Sequence, residues 1–168
     1  MGKKRSSKSI KLKDDYSRAK IYISKPFRLK VDPEKISKVE ITFTNLDTSK
    51  DSYEARVFIN NTSASHNTAT SERNGYVGSL YVFGHGSSCF GGPGHCSVQE
   101  RDSMYDIRSS SPLSKCDHYL DVTESIRKFI KKSEIVVTIV PILAKIEEMT
   151  DIVNVLKFDG LSISIQTR

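Results

Sequence analysis

Thiols and imidazoles are concentrated in one short stretch of this 168-residue chain. His85, Cys89, His95 and Cys96 fall within twelve residues, in the segment HGSSCFGGPGHC. Thiolate and imidazole together suit Cu(I) or Zn²⁺, although the six residues between the cysteines are not a standard zinc spacing. We favour a disulfide between Cys89 and Cys96 that closes the glycine-rich loop. Two free thiols and a metal site formed by these four residues are the alternatives that the sequence leaves open.

Cys116 and His118 are the other candidate pair for chemistry. A thiol beside an imidazole can act as a nucleophile, and residues two apart on an extended segment share a side. No glycine turn for an oxyanion hole follows them, so we interpret them as a loop cysteine and a surface histidine. The acidic pairs are not placed across a cleft, and no phosphate-loop, dinucleotide, GxSxG or HExxH motif occurs. We therefore expect no enzyme activity from this chain alone.

The positive charge of the protein belongs to one end of the chain. The net charge is +6, and residues 1–13 carry six basic side chains and no acid, which leaves twenty of each sign elsewhere. We predict a disordered basic arm over residues 1–18 and no nucleic-acid surface on the rest. No signal peptide or transmembrane run is seen, so we expect a soluble protein. Membrane attachment would require myristoylation of Gly2. The odd cysteine count leaves the compartment undecided.

The sequence predicts a series of short strands in residues 19–168. Alternation of apolar and polar residues predicts strands over 38–46, 53–60 and 157–167, and β-branched or aromatic runs predict others over 19–31, 75–83, 119–122 and 134–143. We expect Pro26 to break the first strand and Pro141 to end the strand that begins at Glu134. In 53–60 we place Ala55, Val57 and Ile59 on the buried face and Phe58 on the other. Residues 60–74, rich in Ser, Thr and Asn, predict a long loop with almost nothing to bury.

One helix interrupts this pattern. Ile126, Phe129 and Ile130 have helical spacing within Glu124–Lys132, and Asp121 or Thr123 can cap its start. The helix dipole favours the lysines at its C-terminal end. Alternating β–α units are absent, so we predict an all-β protein, an antiparallel sandwich of six to eight strands with one short helix.

Four segments, in this order, resemble the C-terminal β-sandwich domain of type 3 copper proteins, the tyrosinase and hemocyanin group. They are YEARVFINN, GYVGSLYVFGHG, LDVTESIRKFIKK with IVVTIVPI, and LKFDGLSISI. The family's strands have the forms VRVFLN, YAGSFSFFGH and VTVVPV, with a DVTE turn before the last. Order and spacing agree from about Lys38 to the end of the chain.

The resemblance implies a role without catalysis. The family's catalytic domain is helical and holds two coppers with six histidines, whereas this chain has four. The family's sandwich domain packs beside the copper entrance, and one of its side chains often plugs the active-site mouth. The resemblance therefore implies a type 3 copper domain as partner, in cis or in trans, and no resident cofactor.

We accordingly predict the functional surface around Tyr81, Phe83 and Phe90, since aromatic residues commonly anchor interfaces. Tyr81 and Phe83 as ordinary core residues are the alternative. A second hypothesis is a stand-alone copper-handling protein that uses the His85, Cys89, His95 and Cys96 loop.

Overall fold

The computed structural model describes residues 19–29, 31–49, 51–84, 103–105, 107, 115–129, 134–143 and 154–168. Within these ranges the chain forms nine strands, one α-helix and two short 3-10 helices. The strands are β1 (Tyr22–Ile23), β2 (Phe27–Arg28), β3 (Ile36–Asp47), β4 (Tyr53–Ile59), β5 (Tyr76–Val82), β6 (Lys115–Asp121), β7 (Glu134–Ile135), β8 (Val137–Leu143) and β9 (Gly160–Thr167). The helix α1 is Thr123–Phe129, and the 3-10 helices are Pro33–Lys35 and Glu72–Asn74.

The strands pair into three antiparallel sheets. Their orders are β1-β8-β4-β5, β6-β3-β9 and β2-β7. This confirms the predicted all-β antiparallel sandwich with one short helix. The described residues form nine strands, more than the six to eight predicted. The predicted strand 19–31 is divided into the two-residue strands β1 and β2, and the predicted strand 134–143 into the two-residue strand β7 and β8.

One hydrophobic core joins the four-stranded and three-stranded sheets. In β3, the alternating residues Val39, Ile41 and Phe43 are fully buried, as their period of two predicts. In β4, the inward residues include Val57 and Ile59, which belong to the same buried cluster. The alternation seen in the sequence therefore identifies the core face of both strands.

The outer face of the four-stranded sheet is also partly covered, which the sequence did not indicate. Phe58, predicted on the polar face of β4, is fully buried in a second cluster with Ala64 and Val140. Its ring meets the ring of Tyr76 edge to face, with centroids 5.7 Å apart. The loop after β4 lays Ala64 over this face, so the expectation that the loop has almost nothing to bury was wrong.

Strand β8 does not end at Pro141, as predicted, but continues to Leu143. The N–H and carbonyl of Val137 bond to Ser24, on the β1 side of β8. Four residues later, Pro141 turns its backbone to that same side. Strand β1 pairs only with Thr138 and Ile139, so no donor is needed from the proline nitrogen.

Helix α1 is fixed to β3 by its first turn. The Asp121 carboxylate accepts the Thr123 N–H at 2.9 Å, and Thr123 Oγ1 accepts the Val39 N–H at 2.9 Å. Within the helix, Ile126 is fully buried. Of the two predicted capping residues, Asp121 is the one whose side chain accepts an N–H of the first turn, although the N-cap position itself is held by Val122. The predicted continuation of the helix to Lys132 and the basic arm over 1–18 lie outside the described residues.

Strands β5 and β6 approach each other at one flank of the sandwich. Strand β6 starts at Lys115, four residues before the predicted start. Gly78 in β5 has a φ of 150°, and a Cβ at this position would lie 3.2 Å from Leu120 Cδ1 in β6. Glycine thus lets the Leu120 side chain pack directly against the β5 backbone.

Candidate functional site

An exposed aromatic pair marks the end of β5, and we call Tyr81 and Phe83 the aromatic edge. Among the described residues, strand β5 is the last strand of its sheet and pairs only with β4. Val82 points into the core and is buried, which turns its two neighbours outward. Tyr81 is 65% exposed and Phe83 is 80% exposed. The alternative that these rings are ordinary core residues is therefore excluded.

The backbone holds this edge in place. Tyr81 lies opposite Glu54 in β4, and Val82 lies opposite Tyr53. Beyond the strand, the Gly84 N–H donates to Ser52 Oγ at 3.0 Å. Phe83 is thus held between the strand ladder and the turn that precedes β4, which gives its exposed ring a fixed point of attachment.

The rest of the predicted site lies outside the described residues. This applies to His85, Cys89, Phe90, His95 and Cys96. The predicted disulfide and metal alternatives and the Phe90 interface role consequently stay predictions. In the described ranges, no group of three or more His, Cys, Asp or Glu side chains is arranged to hold a metal ion.

A polar network crosses the outer face of β4 and β5, next to the aromatic edge. Glu54 accepts from Arg56 Nε at 3.0 Å and from Ser79 Oγ at 2.7 Å. Ser79 also meets the Tyr76 hydroxyl at 2.9 Å. Burial opposes the ionised Glu54 carboxylate, but the bonds from Arg56 and Ser79 outweigh it and lower its pKa. The network fixes an anionic carboxylate on the same face as Tyr81, which is the cross-strand neighbour of Glu54.

His66, in the loop that covers the outer face, lies over the flank of β8. Its Nε2 is buried and has no hydrogen-bond partner among the described residues. Burial lowers the pKa of His66, and the positive charge of Arg56 adds to this effect. The carbonyls of Ala19 and Pro141 act in the opposite direction without cancelling the shift. The folded protein therefore favours a neutral imidazole at this position.

Cys116 and His118 come together on β6. Cys116 Sγ lies 3.2 Å from His118 Nε2, and the thiol is free and exposed. The interpretation of Cys116 as a loop residue was wrong, because both residues belong to the strand. The expectation that they share a side is confirmed.

Sequence reasoning missed both the Glu54 network and His66. Arg56 and Glu54 share a face by their spacing, which was visible in the sequence. Their contact with Ser79 depends on the register of β4 against β5, which includes a shift after Val57. No local pattern encodes such a register.

Comparison with known proteins gives a likeness to several solved structures. No family profile and no curated protein matches the chain. The structure of a latent aurone synthase (polyphenol oxidase) from natural source has 13% identity and a TM-score of 0.48. That of a recombinantly expressed latent aurone synthase (polyphenol oxidase) has 10% identity and a TM-score of 0.49. Each match covers 88% of this chain and 24% of the other, so the chain spans about a quarter of their length.

Among the described residues, no helix has both the length and the apolar character needed to cross a membrane.

Proposed function

We propose that this chain is a non-catalytic accessory domain related to the C-terminal sandwich of type 3 copper proteins. Two facts support the relation. Four sequence segments resemble that domain in order and spacing, and the described residues form an antiparallel sandwich. In this proposal the chain packs on a type 3 copper domain, in cis or in trans, and contributes no copper ligands of its own.

The exposure of the aromatic edge is the observation that carries this proposal. Two large rings are exposed to solvent: Tyr81 on β5, whose other face is core, and Phe83 directly after the end of that strand. Burying such a ring against a partner stabilises the complex by roughly 1.5–3 kcal/mol. Aromatic side chains with little rotamer freedom are typical interface anchors. In the sequence, the aromatic edge directly precedes the glycine-rich segment.

Copper chemistry would belong to the partner. The catalytic site of the resembled family needs six histidines, and the whole chain has four. Two of these, His66 and His118, are committed to separate places, one over the flank of β8 and one on β6. The domain would therefore act by covering or positioning the copper domain.

The proposal is tested by binding measurements with matched substitutions. The probe is a type 3 copper catalytic domain expressed without its own sandwich domain, and affinity is measured by biolayer interferometry. We expect Tyr81→Ser and Phe83→Ser each to weaken binding by roughly 1–3 kcal/mol, about 5- to 150-fold in Kd. Tyr119→Ser is the control, because Tyr119 is 57% exposed on β6 of the other sheet. Equal affinities for all three variants and the unmodified chain, or no binding by the unmodified chain, would refute the proposal.

The alternative, a stand-alone copper-handling protein, has a separate readout. It requires the loop with His85, Cys89, His95 and Cys96 to bind metal without any partner. Stoichiometric copper in the purified chain, lost on substitution of Cys89 and Cys96 by Ser, would favour it. Metal-free protein that binds the copper domain through the aromatic edge would favour the accessory domain.

A further inference from the structure

The thiol and imidazole of Cys116 and His118 are held at contact distance by the sheet. Strand β6 pairs with β3, with His118 opposite Phe43 and Cys116 opposite Leu46. The register shifts between these two pairs. Because side chains two residues apart in a strand share a face, Cys116 and His118 lie on the same face of β6 as Leu120, which packs against β5. The thiol stays exposed, and its sulfur lies 3.2 Å from Nε2.

The residue between them anchors this stretch of β6. Asp117 lies on the opposite face, where one carboxylate oxygen accepts the Asn45 N–H at 2.8 Å and the other accepts from the Tyr119 hydroxyl at 3.4 Å. Asn45, a residue of β3, has a φ of 51° and lies where the pairing of β3 with β6 is irregular. The separation of Cys116 and His118 is thus set by strand pairing on one side and by Asp117 on the other.

We propose that Cys116 and His118 form a nucleophile and base pair that is a site of covalent modification by soft carbon electrophiles, of the α,β-unsaturated carbonyl class. A nucleophile within hydrogen-bond reach of a base is the arrangement that activates thiols. Sulfur is soft and polarisable, and it reacts as the thiolate. Because the thiol is exposed, such a compound reaches the sulfur without a binding pocket.

The reaction is an addition with no oxidant or reductant. His118 Nε2, in the tautomer with its proton on Nδ1, takes the proton of Cys116 Sγ. The sulfur lone pair forms a bond to the β-carbon, and the π electrons of the C=C bond move to the carbonyl oxygen. The proton then passes from the imidazolium to the resulting enolate. The product is a thioether, with S–H added across the double bond and the imidazole returned to its neutral form.

The test measures the alkylation rate of Cys116 in the full chain. N-ethylmaleimide is the probe, and adducts are quantified peptide by peptide with mass spectrometry, so that the other two cysteines do not contribute. At pH 6.5 we expect His118→Gln to slow the Cys116 reaction about 10-fold. His118→Asn serves as a second variant of smaller volume. His66→Gln is the control, since His66 lies at the flank of β8, and it should leave the rate at Cys116 unchanged.

A measurement on the unmodified chain supports the test if the His118 variants fold poorly. Native protein should react faster at Cys116 than the same protein unfolded in urea, and the ratio should shrink as the pH rises, because the unassisted thiol then ionises on its own. Rates within twofold for the unmodified chain and the His118 variants, or a native rate no higher than the unfolded rate, would overturn the proposal. These outcomes are independent of binding to a copper domain.

Discussion

Substitution of Gly75 by alanine should strongly destabilise the fold, because the structure uses this glycine in two ways. Gly75 ends the 3-10 helix Glu72–Asn74 with a φ of 79°. Its carbonyl accepts the N–H of Ile59 at 2.7 Å, at the end of β4. A Cβ at Gly75 would lie 2.2 Å from the carbonyl oxygen of Ile59. That oxygen is a backbone atom, so a side-chain rotation cannot relieve the contact.

The magnitude follows from these contacts. A left-handed conformation costs a non-glycine residue roughly 1–2 kcal/mol. Relief of the overlap requires the two backbones to separate by on the order of 1 Å. This weakens the Ile59–Gly75 hydrogen bond, which contributes about 1 kcal/mol. We therefore expect Gly75→Ala to lower the free energy of unfolding by about 2–4 kcal/mol, or Tm by roughly 5–15 °C for a chain of this size.

Urea unfolding followed by circular dichroism measures this change, with Gly160→Ala as the matched control. The nearest atoms to a Cβ at Gly160 are Cβ and Oγ1 of Thr44, both at 3.8 Å, which is ordinary contact. The control should alter stability by less than about 1 kcal/mol. If Gly75→Ala and Gly160→Ala have the same midpoint and slope, the close approach of Gly75 to β4 is wrong.

Three further predictions concern acid sensitivity, copper and the loop. The pKa of His66 is lowered in the folded protein from its ordinary value of 6.5, so the unfolded chain binds the proton more readily. The free energy of unfolding should accordingly fall as the pH drops below 6.5 through the pKa of folded His66. His66→Gln should make the urea unfolding midpoint depend less on pH between pH 7 and 5. The same pH dependence for both proteins would contradict this. A second loss should remain at lower pH in both proteins, since the pKa values of Glu54 and Asp121 are also lowered and these carboxylates stabilise the fold only while ionised. Copper-loaded protein should not oxidise a catechol above a matched buffer control, for lack of a six-histidine set, and measurable turnover would contradict that reading. Phe90→Ala should change stability by less than about 0.5 kcal/mol yet weaken copper-domain binding by roughly 1–3 kcal/mol; a larger loss of stability would make Phe90 a core residue, and unchanged affinity would place the contact elsewhere.

Sheet order, rather than residue type, decided which aromatic residues are available for contact. Tyr76 and Tyr81 in β5, and Phe83 directly after it, have spacings that suit either a core or a surface role. The fold buries Val82, and within the described part of the chain β5 pairs only with β4; Tyr81 and Phe83 face solvent. Tyr76, by contrast, packs its ring against Phe58 beneath the loop. These outcomes depend on partners that are distant in sequence.

The candidate thiol pair shows where sequence reasoning succeeded in part. A period of two placed Cys116 and His118 on one side of an extended segment, and this was correct. The sequence did not place them on a strand, because β6 is exposed at most positions and lacks the apolar alternation that indicates one. Its conformation comes from hydrogen bonding to β3, whose own alternation is clear.

The sequence by itself determined the structural class and the core face of the central strands. Alternation in β3, β4 and β9 is a local property, because successive side chains of a strand point to opposite faces. The helical spacing of Ile126 and Phe129 is equally local, whereas the sequence left Asp121 and Thr123 as alternative caps. Only the tertiary structure decided that Phe58 is buried, that Glu54 meets Ser79 and that His66 lies over the flank of β8. Each of these depends on strand register and on the path of a loop, which are fixed by contacts between residues far apart in the chain.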